Sequence, residues 1–449
     1  MLLRHCLGAS ALVVAVLAAC GGGGSDTMHV VVDADGGFDD VKAILYLLER
    51  PDVELLAVAV SGTGIAHCPE AARNIAGMLA MVGASEIPVA CGRTTPLEGS
   101  NEAPIAFRNA ADTLGGVYLP EVTGVDETDA VTLLRDTLQG AKDVVLLAIG
   151  PLTNVAEALE QDAALVDNIE MIYLMGGAVD VGGNVLYANP DAEFNIWADP
   201  RAATMVFATD VPITMIPLDA TNAVPVTPYL YDVVAAHRDT SPATDFLAQY
   251  LDVSPLYGGM YHWDELAAVA VTDESVVTIE ERRVAVIDEG GAAAGATVEA
   301  DDGRSIRMAT DADRELFEEL FYRAVLRTGD TGVVAWAADA TLSWDGVTCE
   351  YQGPDPLLDA MWIRIDNTSS AMIAWIVGSY APGTTTDDWD DYVAGGADAP
   401  PAWWRQQSQI IVPAGAHDVW QVSAGADATA LCVADTSRIW EVAGPRLSG

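Results

Sequence analysis

At 449 residues, 51% of them hydrophobic, the chain is long enough for two or three domains with real cores. It carries 66 acidic against 21 basic side chains, a formal net charge of -45. Such a surface repels phosphate backbones and anionic headgroups, so nucleic acid and acidic lipid surfaces are excluded as partners. Only Lys42 and Lys142 are lysines. An acidic, lysine-poor exterior suits a salty habitat, and a genome favouring Arg and Ala yields the same composition.

The N-terminus reads as a leader. Arg4 precedes the apolar run "LGASALVVAVLAA", which is too short to span a bilayer and fits a secretory signal. Leu17-Ala18-Ala19-Cys20 resembles the bacterial lipobox, in which the cysteine becomes the lipid-bearing first residue; an ordinary cleaved signal is the plainer alternative. Residues 1–19 are thus expected to be removed and Cys20 to hold a lipid anchor. Residues 20–28, with "GGGGSDT", are expected to act as a flexible tether. The expected place is the bacterial cell envelope, periplasmic or on the outer surface, with the lipid anchor as the sole membrane contact. Export implies an oxidising compartment. Cys68, Cys91, Cys349 and Cys432 then form an even set, and proximity along the domains suggests Cys68–Cys91 and Cys349–Cys432.

From residue 29 to about 220, six short runs rich in Val, Ile and Leu alternate with helical patterns. The runs are "HVVVDAD", "ELLAVAVSG", "IPVACG", "DVVLLAIG", "MIYLMGG" and "ITMIPLDA". Runs apolar on both faces, separated by helices, predict an α/β domain with a mainly parallel sheet flanked by helices. Ligands of such sheets bind at the carboxyl ends of the strands. The Asp cluster, "SGTG", "GPLTN" and "MGGAVDVGGN" all fall there. Residues 230–330 read as mostly helical with one hairpin-like stretch, "SVVTIEERRVAVIDEG". Residues 333–449 turn to alternating runs and turn residues, a small all-β, sandwich-like domain.

The chemistry concentrates in "VVVDADGGFDD", where Asp33, Asp35, Asp39 and Asp40 fall between a strand and a helix. Carboxylates that close repel one another unless a cation holds them, and calcium takes six to eight hard oxygen ligands. A helix start adds a positive dipole end. An EF-hand loop beginning at Asp33 would need Gly at Phe38 and Glu at Ile44. A haloacid-dehalogenase-like phosphatase would need Thr or Val where Gly36 stands. Neither pattern is met.

"DADGGFDD" resembles the Asp-x-Asp-Pro-Gly-x-Asp-Asp signature of the inosine–uridine-preferring nucleoside hydrolases. The resemblance continues through "GPLTN" (150–154), "MGG" (175–177), "GN" (183–184), "AEFN" (192–195), "ADP" (198–200) and "WDELA" (263–267), and covers roughly residues 29–330. It implies a Ca²⁺ ion at the sheet edge, held by Asp35, Asp40, the backbone carbonyl of Ile149 and Asp264. That ion would also bind two ribose hydroxyls and a water, with Asp35 as the base that takes the water's proton. Asp39 would hold a ribose hydroxyl, Asn184, Glu193 and Asn195 the rest of the sugar, and Met175 would line the pocket. Asp33 is expected to be structural.

Some positions depart from the family pattern. Gly36 replaces the usual Pro, which leaves the loop less stiff. Thr63 stands where the family has an asparagine, shortening one sugar contact. Three extra residues between Asn184 and Glu193 leave Asn189 as a competitor of Asn184. Where many members place a histidine acid, this chain has Trp263, with His262 one residue earlier. A Trp-Asp pair is similar to the purine-preferring branch. The expectation is a hydrolase of ribonucleosides, purines favoured, in which Trp263 or His262 assists departure of the base; a homo-oligomer is compatible with the sequence. The alternatives are a nucleoside- or ribose-binding lipoprotein without turnover, and a hydrolase of another N-ribosyl compound.

Overall fold

The computed structural model describes residues 27–327, apart from 123–124, 126–127, 227, 239 and 254–259, together with the strands and some connections beyond residue 339. The leader, Cys20 and most of the tether lie outside the described residues. Nine strands build the main sheet: β1 (Met28–Ala34), β2 (Val53–Val60), β3 (Val89–Cys91), β4 (Val144–Ala148), β5 (Ile169–Met175), β6 (Ile213–Ile216), β7 (Val277–Val286), β8 (Thr297–Glu299) and β9 (Arg304–Ala312). Their order is β3-β2-β1-β4-β5-β6-β9-β7-β8.

The six apolar runs are β1 to β6, each parallel to its neighbours. Successive strand residues face opposite sides, and both sides are covered. Val30 and Val32 join the layer that holds Ile44, Leu45 and Phe317, whereas Val31 joins the layer of Leu134, Leu146 and Val155. This two-sided burial explains why the runs are apolar throughout. From β1 the chain steps outward to β2 and β3, then returns to set β4 on the other flank of β1. The reversal opens a crevice at the carboxyl ends of β1 and β4.

The hairpin-like stretch lies within the main sheet. β9 runs parallel to β6, β7 antiparallel to β9, and the short β8 closes the edge. Glu280, Glu281, Arg282 and Arg283 on β7, with so short an outer strand, blunt this edge against pairing. β7 is the hairpin-like stretch, whereas β8 and β9 fall in residues expected to be helical. Beyond residue 339 the described backbone forms two four-stranded sheets, one with the strand containing Cys349 and the other with that containing Cys432. The side chains of these two cysteines lie outside the described residues. Cys68 and Cys91 are bonded, with Cα atoms 5.9 Å apart, and tie the loop after β2 to the end of β3. No helix among the described residues is long and apolar enough to cross a membrane.

Two helices carry aspartates to the crevice, Phe38–Leu48 after β1 and Trp263–Thr272. They are joined inside the core by charge. The Lys42 ammonium pairs with the Glu265 carboxylate, which also bonds His262 Nδ1 at 2.9 Å. Burial alone would raise the Glu265 carboxyl, but Lys42 and His262 hold it below its ordinary value. Glu265 is wholly buried, so removing its partner strands a charge in the core. Lys42→Met is therefore expected to cost about 3–5 kcal/mol in chemical denaturation, with the added Glu265→Leu change recovering most of it. A Lys42→Met loss below about 1 kcal/mol would show that the pair does not hold the helices together.

Candidate active site

The crevice contains a cavity of about 680 Å³, and its floor begins where β1 ends. Asp33 is fully buried and points away from it, accepting from Asn154 Nδ2 at 2.7 Å. Its backbone carbonyl accepts from the N–H groups of Ile149 and Gly150, which fixes the start of "GPLTN" beside β1. Gly36 follows with φ +79, and a Cβ there would lie 2.4 Å from Ala71 Cβ. Proline cannot adopt that angle. Gly36 thus supplies a backbone conformation that the family's usual residue could not, rather than a mere loss of stiffness.

Asp35 projects into the cavity through a gap left by two glycines. A Cβ on Gly64 would lie 2.1 Å from Asp35 Cβ, and one on Gly150 2.9 Å from it. Its oxygens accept from Gly37 N–H at 3.2 Å and Ile65 N–H at 3.1 Å. Asp40, in the first turn of its helix, accepts from the N–H groups of Asp35 at 2.8 Å and Gly37 at 2.7 Å. These bonds fold the turn tightly and hold both carboxylates within it.

Asp264 arrives from the first turn of the distant helix. Oxygen atoms offered by Asp39, Asp40 and Asp264 all lie within 4.8 Å of one another. Burial, and then the neighbouring carboxylates, push Asp40 and Asp264 well above the usual range. Burial likewise raises Asp35 to about 6 and Asp39 to about 7. Arg108 is a counterweight to Asp35, as Lys42 is to Asp39: its buried guanidinium donates to the carbonyls of Gly62 and Ala66, both at 3.1 Å, and draws Asp35 downward. A buried set of hard oxygen donors, richer in negative than positive charge, fits a divalent cation. Asp39 belongs to the tightest trio, although the resemblance implied a sugar contact for it, and Asp35 stands beside the trio with its oxygens on backbone donors.

The next wall comes from "AEFN". Glu193 caps the helix Phe194–Ala198, accepting from Asn195 N–H at 2.8 Å, Ile196 N–H at 3.1 Å and, from the "MGG" loop, Gly177 N–H at 3.0 Å. Burial raises it to about 7 against the pull of those three donors. Asn195 Nδ2 donates to the carbonyls of Ile149 and Met175, both at 3.2 Å, which orients the Ile149 carbonyl. Asn184 lines the cavity, with Oδ1 on Phe194 N–H at 2.9 Å. Asn189 is turned away, bonded to the Ala294 carbonyl and the Asp191 N–H.

Asp35, Asp39, Ile149, Met175, Asn184, Glu193, Asn195, Trp263 and Asp264 all line the one cavity. Three expected residues do not. Asp40 belongs to the acidic trio but not to the lining. Thr63 is spent in a buried hydroxyl chain, Ser61–Thr63–Thr153, that ends on Asp199. His262 is 1% exposed and packs against the rings of Phe317 and Phe321, while burial lowers its pKa despite Glu265. It has no path to a substrate in this arrangement. The neighbouring Trp263 instead faces the cavity, with Tyr261 and Phe38 on the same lining. Sequence reasoning missed Arg108, Lys42 and Asn222. Neither "FRNAA" nor "VKAIL" carries a local signature of a site, and only the excess of acid there signals that buried cations must lie near.

A family model described as inosine-uridine preferring nucleoside hydrolase matches residues 30–319. A pyrimidine-specific ribonucleoside hydrolase, RihA of Shewanella baltica, is 35% identical over 245 residues, covering 54% of this chain and 74% of that protein. Among solved structures, an inosine-uridine preferring nucleoside hydrolase from Bacillus anthracis aligns with a TM-score of 0.59 at 28% identity, over 67% of this chain and 100% of that one. A purine-preferring ribonucleoside hydrolase from Gardnerella vaginalis aligns equally, with TM-score 0.59 and 28% identity over 67% of this chain and 98% of that one. The match spans the α/β region and leaves the C-terminal sheets outside, as the motifs implied. The parallel sheet, the acidic edge and the ordered motifs agree with these likenesses: the chain belongs to the inosine-uridine preferring nucleoside hydrolases, enzymes that hydrolyse N-glycosyl bonds.

Proposed function

We propose that this chain is an exported, lipid-anchored, calcium-dependent hydrolase that splits purine ribonucleosides into free base and ribose. The observation that carries this is one cavity with Asp35, Asp39 and Asp264 on its floor and Trp263 on its wall. Oxygen-only donors favour calcium over zinc, which prefers nitrogen and sulfur. Asp39, Asp40 and Asp264, with Asp35 and the Ile149 carbonyl beside them, would hold the ion. When bound it supplies positive charge that offsets the carboxylates and acidifies a nearby water. The lipobox at Cys20 supports envelope anchoring, and the Cys68–Cys91 bond supports an oxidising compartment.

Chemistry follows from the lining. Asp35, pinned by Gly37 and Ile65, is placed to accept the proton of an attacking water. Asn184, Glu193 and Asn195 are already oriented by backbone bonds, so they position the sugar with little reorganisation. Breaking the glycosidic bond builds positive charge on the ribose, and the surrounding carboxylates stabilise it. Trp263 stacks on the base, which rewards a two-ring purine over a pyrimidine. Cleavage of pyrimidine nucleosides is the second reading, favoured by the substrate named for the Shewanella relative.

Asp40→Asn and Asp264→Asn are each expected to weaken calcium binding and abolish base release together. Normal inosine hydrolysis by Asp40→Asn in the presence of chelator would sink the metal assignment.

The raised carboxyls set a pH dependence. Asp33, Asp39 and Glu193 sit at about 7 in the fold, above their ordinary values of 3.8 and 4.5, so the cation-free fold holds more protons than the unfolded chain across that window. Its stability therefore falls as pH rises from about 4 to about 7, and calcium should restore it most on the alkaline side. Thermal melts with calcium and with chelator test this; a larger calcium gain at about pH 5 than at about pH 8 would contradict it.

One base–aromatic stack is worth about 1–3 kcal/mol. Expressed in the transition state, it corresponds to a purine preference of about 5- to 150-fold in kcat/KM. Inosine is expected to be cleaved better than uridine, and Trp263→Ala to cost inosine more. Equal rates on the two nucleosides in the native enzyme would favour the second reading.

A further inference from the structure

Resting on the nucleoside hydrolase reading above, we propose that Asn222 determines specificity by reading the edge of the base and donating a hydrogen bond to it as it leaves. Asn222 stands at the C-terminal end of the short helix Leu218–Thr221, just beyond β6, with its backbone N–H on the Leu218 carbonyl at 3.0 Å. The side chain is 4% exposed and lines the cavity. Among the described residues its amide has no hydrogen-bond partner, and its polar atoms remain open to the cavity.

That state is unusual for a buried amide, since buried polar groups are nearly always paired. The other amides on the cavity lining, exposed Asn184 and buried Asn195, are engaged. Asn184 accepts from Phe194 N–H, and Asn195 donates to two carbonyls. The buried charged side chains on the lining are Asp35, Asp264 and the Glu193 cap. Trp263 Nε1 also lacks a partner, but it is covered and does not open to the cavity. Asn222 is thus the buried amide left for a ligand.

Its position places that amide at the base rather than among the sugar contacts of "AEFN". Val226 N–H donates to the Met260 carbonyl at 2.8 Å and His262 N–H to the Val224 carbonyl at 2.9 Å, with a bridge between Pro225 and Tyr261. This pairing fastens the segment after Asn222 to the segment before Trp263. The amide and the indole therefore belong to one rigid wall. Stacking on the indole does not distinguish base edges, whereas an amide offers a donor and an acceptor side by side and does.

The same contact answers the lack of a histidine acid on the wall. As the C1′–N bond breaks, its electron pair stays on the base, while the water oxygen bonds to C1′ and the water's proton is lost. The base gains one proton from solvent, so the balance closes without a transfer from Asn222. Donation from Nδ2 stabilises the electron-rich base before that proton arrives.

The test compares two substrates in one preparation, inosine and 4-nitrophenyl β-D-ribofuranoside. The second keeps the ribose, lacks a base edge and departs as a stable phenolate. Asn222→Ala and Asn222→Asp, which lacks the amide donor, are each expected to lower kcat/KM for inosine by about 100-fold, with the riboside changed by less than about threefold. Because the ratio is read within one sample, loss of folded protein cancels, and Asn222→Ser serves if a variant is insoluble. An unchanged ratio would overturn the proposal, as would equal losses on both substrates, which would place Asn222 at the sugar or the acidic floor. Full inosine activity in Asn222→Asp would overturn the donor role. A native enzyme that releases base from no nucleoside would refute the hydrolase reading itself, and this proposal with it.

Discussion

Mutual repulsion among buried carboxylates is the constraint on which the rest of the site depends. Asp35, Asp39, Asp40 and Asp264 are held together by backbone N–H groups, by helix starts and by the glycines that admit Asp35. None of these devices neutralises charge. Arg108 and Lys42 supply fixed positive charge nearby, but each is already engaged, Arg108 with loop carbonyls and Lys42 with Glu265. Burial first, and then this remaining imbalance, raises the Asp40 and Asp264 carboxyls well above their ordinary range. A divalent cation resolves it, and the fold can be understood as the scaffold that keeps such a costly arrangement assembled.

The topology makes that assembly possible. The return from β3 to β4 leaves the end of β1 open between two loops. Asp33 fastens one of those loops to the strand, the Ser61–Thr63–Thr153 chain fastens the other, and the disulfide anchors the second loop again at Cys68. Across the cavity the wall is of another kind, aromatic and apolar around Trp263. A charged floor and a stacking wall together suit a molecule with a polar sugar and a flat base.

Much of this was legible from residue patterns. The runs of Val, Ile and Leu mark β1 to β6 because a parallel sheet buries both faces, so no alternation dilutes the signal. The aspartates, "GPLTN" and "AEFN" announce themselves because ligand-edge loops carry polar residues where none is needed for packing. β8 and β9 were obscured because the first is only three residues long and Arg304 and Arg307 interrupt the apolar run of the second. Thr63 and His262 were drawn to the site by their neighbours in sequence. Along a loop, or at a helix start, adjacent residues point in different directions, and burial sent both of these elsewhere. Arg108 and Asn222 left no trace in any local pattern, since their roles exist only once distant segments meet.

Calorimetric titration of calcium into the chelator-treated protein, in two buffers of different ionisation enthalpy near pH 6, tests the central claim most directly. It counts ions bound and protons released in one experiment. One high-affinity ion per chain, bound with net release of protons from the carboxylate cluster, is the predicted result. Absence of binding, or binding with no proton release, would contradict an account in which a cation holds these carboxylates together.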